Sequence, residues 1–224
     1  MNHMTPTDTG GRDVRIPLGK IFLEGHLVIP PEAQGIVIFA HGSGSSRFST
    51  RNQFVARHLQ SEGLATLLCD LLTREEEEID TYTGSLRFDI GLLAGRLSDI
   101  TKWVVSQQEI RHLAVGYFGA STGAAAALIA ETRNQGSVYA VVSRGGRPDL
   151  AGKVLGQVRA PTLLIVGGND HQVITLNEQA MELLTSKKEM VIVPGATHLF
   201  EEPGTLESVG RLSSQWFRKY LNRG

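Results

Sequence analysis

The sequence predicts an α/β fold with a mostly parallel central sheet and an antiparallel edge at its N-terminal side. Short apolar runs alternate with longer stretches of helical periodicity, which is typical of repeated strand–helix units. Several runs, such as residues 36–40, are continuously apolar and β-branched, as expected for strands covered on both faces. Two strand-like runs separated by Gly19 and Lys20 precede them and predict a hairpin at the sheet edge.

Apolar periodicity and turn residues predict the elements in order. Apolar runs bounded by glycine, proline or polar residues predict strands over 14–18, 21–29, 36–40, 64–69, 113–118, 138–142, 162–166 and 190–193. Helical spacing predicts helices over 52–62, 90–106, 124–132, 176–184 and 205–221. Residues 144–148 are expected to form a loop. The acidic stretch 71–87 is expected to be irregular, with a small cap over the site or none.

The composition fits one domain without disulfides or metals. The chain has 224 residues, a net charge of −1 and one cysteine, Cys69, in an apolar run where a buried thiol is the default. No Cys or His spacing is typical of a metal site, no basic excess would bind nucleic acid, and no run has the roughly 18 apolar residues of a membrane span. Residues 1–11 lack a signal-peptide pattern and are expected to be a flexible tail before a single domain over 12–224, located in the cytoplasm.

Ser121 is the predicted nucleophile. It stands between Gly119 and Gly123 in a Gly-x-Ser-x-Gly pattern, with an apolar strand before it and an alanine-rich helix after it. A tight turn in this context strains the serine backbone and points the hydroxyl toward substrate. The amide of Thr122 begins the helix and would stabilise an oxyanion. Without that context the pattern is an ordinary Gly-Ser-Gly turn.

His198 is the predicted general base, because a serine hydroxyl needs a base to remove its proton. It lies between the last strand and the last helix, and the chain order Ser121, Asp170, His198 is the one expected for this motif. Asp170 is expected to accept a hydrogen bond from the His198 ring. Asp70 and Asp149 are competing acids near other strand ends. The remaining candidate histidines are expected to be structural or exposed: His3, His26, His58, His112 and His171.

The loop over residues 41–46 is predicted to supply the second oxyanion donor, since it follows the first parallel strand. Gly42 and Gly44 allow the backbone to turn inward, and the Ser43 amide is the expected donor. His41 is expected to hold the loop and not to act as a second base. Taken alone, this is a polar Ser/Gly loop.

These segments together resemble the dienelactone hydrolase-like branch of the α/β-hydrolase superfamily. The matching segments are 41–45, 119–123, 167–170 and 195–198, and the likeness extends over about residues 35–221. The resemblance implies a mostly parallel sheet of eight strands with helices on both faces, and ester or lactone hydrolysis without a cofactor. Dienelactone hydrolases proper carry a cysteine nucleophile, whereas this chain has Ser121, so serine esterase chemistry is expected. Similar domains also occur beside phosphoribosyltransferase domains, of which this sequence shows no sign.

The leading functional hypothesis is hydrolysis of a small carboxylic ester, lactone or thioester through an acyl-enzyme on Ser121. An acyltransferase using the same triad is one alternative, because the acceptor depends on site shape and water exclusion. A non-catalytic binding module on the same fold is another. Arg144 and Arg147 are candidate substrate-binding residues, since arginine binds carboxylates through paired hydrogen bonds. The expected partner is a small ester-type molecule, and neither nucleic acid nor a membrane.

Overall fold

The computed structural model describes residues 10–222, so most of the tail expected over residues 1–11 lies outside the described part. Within it, eight strands form one sheet: β1 (Arg12–Leu18), β2 (Ile21–Val28), β3 (Gly35–Ala40), β4 (Ala65–Cys69), β5 (Ala114–Ala120), β6 (Val138–Arg144), β7 (Thr162–Gly167) and β8 (Lys188–Val193). Their order is β1-β2-β4-β3-β5-β6-β7-β8. β2 pairs antiparallel with both neighbours, and β3 to β8 pair in parallel.

Helices cover both faces of this sheet. They are α1 (Thr50–Ser61), α2 (Arg74–Thr83), α3 (Ile90–Ser106), α4 (Thr122–Arg133), α5 (His171–Leu183) and α6 (Thr205–Leu221), with a 3₁₀ segment over Pro148–Gln157. α1 and α6 pack together on one face, whereas α3, α4, α5 and the 3₁₀ segment lie on the other. Four alanines in the first turns of α4, residues 124–127, are completely buried, so this helix packs close to the sheet behind its N-terminus.

The structure confirms the predicted fold class, the N-terminal hairpin and the eight strands. Alternation and continuous apolar runs were sufficient signals because every residue of β3, β4, β5 and β7 is buried. Cys69 is a buried free thiol, as predicted. It is the last residue of β4.

Two sequence predictions are wrong. The stretch expected to be irregular contains α2, whose N-terminus is a capping box in which Thr73 and Glu76 each bond the other's backbone amide. Gly84 ends the helix in a left-handed conformation. Arg144 was expected in a loop, but β6 extends through it, because its backbone pairs with that of Ala120. Only the residues after it form the connection to the 3₁₀ segment.

Among residues 10–222, no helix combines the length and the apolar content that crossing a bilayer requires.

Candidate active site

Ser121 lies at the tight turn between β5 and α4. Its backbone has φ 51° and ψ −124°, a combination that side-chain-bearing residues rarely adopt. The two flanking glycines are sterically required. A Cβ on Gly119 would lie 2.5 Å from the Ala124 Cα, and one on Gly123 would overlap the carbonyl oxygen of Ala40. The sequence pattern therefore allows the close strand–helix packing that holds Ser121 in its strained conformation.

The loop after β3 packs directly against this turn. A Cβ on Gly42 would lie 3.0 Å from the Ser121 Cβ, so the loop approaches the nucleophile candidate at backbone distance. The Ser43 amide donates a hydrogen bond of 3.0 Å to Thr122 Oγ1. The amide predicted as an oxyanion donor therefore lies at the N-terminus of α4, where the Thr122 hydroxyl is its partner.

His41 holds the same loop, as expected from the sequence. Its Nε2 accepts the Leu71 amide at 3.1 Å and its Nδ1 lies 2.9 Å from the Gly42 carbonyl oxygen. The first bond requires an unprotonated Nε2, so Nδ1 carries the hydrogen and donates to the carbonyl. Burial lowers the pKa of His41, which favours this neutral form. Because both ring nitrogens are engaged, His41 is a structural residue.

His198 and Asp170 are joined across two neighbouring loops. His198 Nδ1 donates to Asp170 Oδ2 at 2.7 Å. Asp170 is the N-cap residue of α5 and lies three residues after the end of β7, and His198 follows β8. Asn169 connects the two loops, since its amide donates to the Ala196 carbonyl oxygen at 2.9 Å and its side chain to the Gly195 carbonyl oxygen at 3.0 Å. The Asp170–His198 contact thus rests on a fixed backbone.

The two competing acids bind arginines instead. Asp70 accepts from the Arg47 amide at 2.7 Å and pairs with the Arg47 guanidinium. Asp149 accepts two parallel bonds from Arg147, at 2.9 and 2.8 Å. Asp170 is therefore the member of the three that contacts a histidine.

The segment after β6 links the serine turn to the histidine loop. The Ser121 amide donates to the Arg144 carbonyl oxygen at 3.3 Å, and the Arg147 amide donates to the Ser121 carbonyl oxygen at 3.0 Å. A Cβ on Gly145 would lie 2.9 Å from the His198 carbonyl oxygen. Across residues 10–222, the Ser121 hydroxyl makes no hydrogen bond to His198, whose Nδ1 is engaged by Asp170.

The two candidate substrate arginines differ in environment. Arg147 is occupied by Asp149, whose hydrogen bonds raise the Arg147 pKa. Arg144 is only 6% exposed, and neither its Nε nor its Nη1 has a hydrogen-bond partner among the described residues. The sequence could not distinguish the two, because it does not show on which side of the sheet each guanidinium lies.

A cavity of about 370 Å³ lies between the residue 41–46 loop and α2. Asp80 and Arg87 fix α2 over it. Arg87 Nε donates to Asp80 Oδ2 at 2.5 Å, and the Leu86 amide donates to Asp80 Oδ1 at 2.6 Å. Burial raises the pKa of Asp80, but these hydrogen bonds outweigh it and hold the pKa below its ordinary value. A small cap over the site was one of the two expectations for residues 71–87, but its helix was not predicted, although the Thr-x-x-Glu capping pattern at residues 73–76 was a signal for it.

Within the described part of the chain, no group of three or more His, Cys, Asp or Glu side chains could hold a metal ion.

Comparison with known proteins assigns the family. Residues 23–214, most of the chain, match the dienelactone hydrolase family. The chain belongs to this family. A crystal structure of a dienelactone hydrolase from Anabaena variabilis is 59% identical and superposes with a TM-score of 0.93, covering 94% of this chain and 98% of that one. This family member is therefore similar in sequence and fold to that protein over nearly its whole length.

More distant and longer relatives show the same fold in other contexts. Est1E from Butyrivibrio proteoclasticus is 14% identical with a TM-score of 0.77 over 92% of this chain and 98% of its own, a likeness of fold alone. Two Mycobacterium tuberculosis proteins, each named as a proposed phosphoribosyl transferase, are 55% identical over 209 residues. The match covers 93% of this chain and 46% of theirs, so this family member spans about half their length.

Proposed function

We propose that this chain is a serine hydrolase that cleaves a small carboxylic ester, lactone or thioester through an acyl-enzyme on Ser121. The observation that carries the proposal is the 2.7 Å contact between His198 and Asp170, at the same sheet edge as the strained Ser121 turn. Membership of the dienelactone hydrolase family supports a hydrolase. The name of the Mycobacterium tuberculosis relatives concerns proteins about twice as long, and it carries no argument for this segment.

In the proposed reaction, Ser121 Oγ attacks the substrate carbonyl carbon while His198 Nε2 takes the hydroxyl proton. The carbonyl π electrons move to oxygen, and the Thr122 amide at the helix N-terminus donates a hydrogen bond to the oxyanion. The Ser43 amide donates a second one, in exchange for its hydrogen bond to Thr122 Oγ1. His198 then protonates the leaving group as its bond to carbon breaks. Asp170 holds the ring tautomer and stabilises the imidazolium formed in between.

Deacylation repeats these steps with water. His198 removes a proton from a water molecule, which attacks the acyl carbon, and the proton passes to Ser121 Oγ as the acid product leaves. His198 suits this role because its side chain is 39% exposed, whereas that of Asp170 is only 15% exposed. Water and substrate can therefore reach the ring, while the carboxylate that orients it is shielded.

The test is rapid-quench intact-mass spectrometry with a panel of activated esters, alongside Ser121→Ala. We expect a mass increase equal to the acyl group in the native protein and none in the variant, with kcat lowered by several orders of magnitude. Ser121→Ala keeps the backbone geometry and its circular dichroism should match the native protein. Full turnover by a folded Ser121→Ala protein would contradict the proposal.

A further inference from the structure

Arg144 is a buried cation that forms no ion pair with any acid among residues 10–222. It is the last residue of β6 and is 6% exposed, and its Nε and Nη1 have no acceptor in the part of the chain that the structure describes. Side chains alternate along a strand, so Arg144 shares the α1/α6 face with Ala140 and Val142. Burying an unpaired charge costs several kcal/mol, and folded proteins normally complete such a group with a counter-ion.

A second cation, Arg51, lines a cavity together with Phe200, the residue whose ring lies near the Arg144 guanidinium. Arg51 lies in the first turn of α1, and its Nε is also buried without a partner among residues 10–222. Burial lowers the pKa of Arg144 to about 10, and the positive charge of Arg51 adds to this effect. Arg144 nevertheless stays protonated at neutral pH. Its guanidinium lies 5.9 Å from the ring centre of Phe200, which closes the site on the side of the histidine loop.

The acids near these two arginines line a surface cavity. Glu201 accepts from Arg51 Nη1 at 3.1 Å, but its side chain is 63% exposed. Hydrogen bonding to the Thr197 side chain and to the Thr197 amide, the latter at 3.1 Å, holds the pKa of Glu202 below its ordinary value. This surface cavity of about 330 Å³ is lined by Arg51, by Phe200 and by three acids, Glu201, Glu202 and Glu207, and Arg144 is not part of its lining. Phe200 therefore lies both on this cavity and beside the Arg144 guanidinium, and Arg51 is the positively charged residue among the acids of the cavity.

We propose that Arg144 and Arg51 form a binding site for one small oxyanion, a carboxylate or a phosphate. A planar guanidinium donates two parallel hydrogen bonds to such a group, and the free nitrogens of both arginines would be satisfied together. The first turn of α1 reads Thr-Arg-Asn-Gln, so the helix N-terminus adds positive potential without an acid of its own.

The site is connected to the proposed active site. The Arg144 carbonyl oxygen accepts the Ser121 amide, and Phe200 follows His198 by two residues in a left-handed conformation, φ 56°. An anion on Arg144 would therefore contact the segment that carries the histidine. The anion is either a group on the ester substrate or a separate ligand, and the two sources share the same recognition chemistry.

Thermal unfolding in phosphate or acetate tests the site without relying on catalysis. The full chain, Arg144→Met and the control Arg47→Met are compared, since Arg47 is a partly buried arginine that already has a carboxylate partner. We expect Tm to rise saturably with anion concentration in the native and control proteins and to stay flat in Arg144→Met. In anion-poor buffer, Arg144→Met should be at least as stable as the native protein, because an unpaired buried charge has been removed.

Kinetics distinguish the source of the anion, and this part rests on the proposed function. Two esters matched in size, one with a terminal carboxylate and one neutral, are compared in the native protein and Arg144→Met. A loss of roughly 10- to 150-fold in kcat/KM confined to the charged ester assigns the anion to substrate, that being the size of a hydrogen bond to a charged group. Equal effects on both esters, with a phosphate response that is present in the native protein and absent from Arg144→Met, assign a separate ligand.

The proposal is overturned if the native protein shows no saturable response to phosphate or acetate. It is also overturned if Arg144→Met is destabilised equally in every buffer, because Arg144 would then have an internal structural partner. Should Arg144→Met fail to fold, Arg144→Lys replaces it. Lysine retains the charge but not the paired donors, so the anion response should weaken and not vanish. Failure of the acyl-enzyme experiment alone would leave the thermal result standing.

Discussion

The backbone strain at Ser121 should be measurable as stability. Ser121→Gly and Ser121→Ala both remove the hydroxyl and should both be inactive, but only glycine adopts φ 51° and ψ −124° without strain. Residues held in such sparsely populated regions cost about 1–3 kcal/mol. Glycine also costs about 0.4–1 kcal/mol through the larger entropy of its unfolded chain. The glycine variant should therefore be more stable than the alanine variant by about 1 kcal/mol.

The comparison needs a control for helix capping, because Ser121 is also the N-cap residue of α4, where glycine is preferred over alanine. Thr73 provides it. It is the N-cap of α2 with an ordinary φ of −73°, so Thr73→Gly against Thr73→Ala measures the cap and entropy effects without strain. Subtracting the Thr73 difference from the Ser121 difference isolates the strain.

Urea denaturation gives these four stabilities, and thermal unfolding gives an independent check. For a chain of this size, 1 kcal/mol corresponds to about 2–4 °C in Tm. We expect the corrected Ser121 difference to fall within about 1–3 kcal/mol in favour of glycine. A corrected difference of zero, or one that favours alanine, would refute the view that the turn holds the serine against its backbone preference.

Three further predictions concern the acid, the turn and a buried carboxyl. Asp170→Asn should keep the fold but lower kcat by about 10⁴-fold, since the amide no longer fixes the His198 tautomer; steady-state kinetics showing less than a tenfold loss would contradict this. Gly123→Ala should lower the free energy of unfolding, measured by urea denaturation, by about 1–3 kcal/mol or more, because the new Cβ comes closer than 3.0 Å to the Ala40 carbonyl oxygen. Unchanged stability would show that the helix can move away from this oxygen. Burial raises the pKa of the Glu131 carboxyl above 4.5, so the contribution of Glu131 to stability is complete below pH 4.5 and is lost as the pH rises through the folded-state pKa. The free energy of unfolding of the native protein relative to that of Glu131→Gln should therefore fall from pH 4 to pH 7. A difference that stays constant with pH in urea titrations would contradict the raised pKa.

The sequence was most informative where burial imposes a regular pattern. The central strands are covered on both faces, so their apolar runs were visible, and the closing helix was predicted over the residues it occupies, Thr205–Leu221. α2 was missed because it is short and acidic and buries only Asp80, so it has no apolar stripe. Its stability comes from caps at both ends, which short-range periodicity does not show.

The site was predictable as a set of residue types and less so as a set of contacts. Chain order favoured Asp170 over Asp70 and Asp149, and the contact with His198 agrees with that preference. The partners of the other two acids, Arg47 and Arg147, depend on how loops from distant parts of the chain fold together. No local pattern in a sequence encodes such long-range pairings.

The same limit applies to Arg144 and to the Ser43 amide. Arg144 is polar and follows an apolar run, a pattern that predicts a surface loop. In the structure Arg144 is the last residue of β6 and is buried. The Ser43 amide is held by a threonine hydroxyl 79 residues later in the chain. Both the burial of Arg144 and the Ser43–Thr122 hydrogen bond depend on contacts between distant parts of the chain, so they could be found only from the structure.

Activation of Ser121 is the central claim, and covalent labelling tests it most directly. The purified protein is treated with a fluorophosphonate probe, digested, and mapped by tandem mass spectrometry beside Ser121→Ala and His198→Ala. We predict a single adduct on Ser121 in the native protein, no adduct in Ser121→Ala, and labelling slowed by at least tenfold in His198→Ala, because the base activates the hydroxyl. A folded native protein that stays unlabelled, or one labelled at the same rate without His198, would contradict the account.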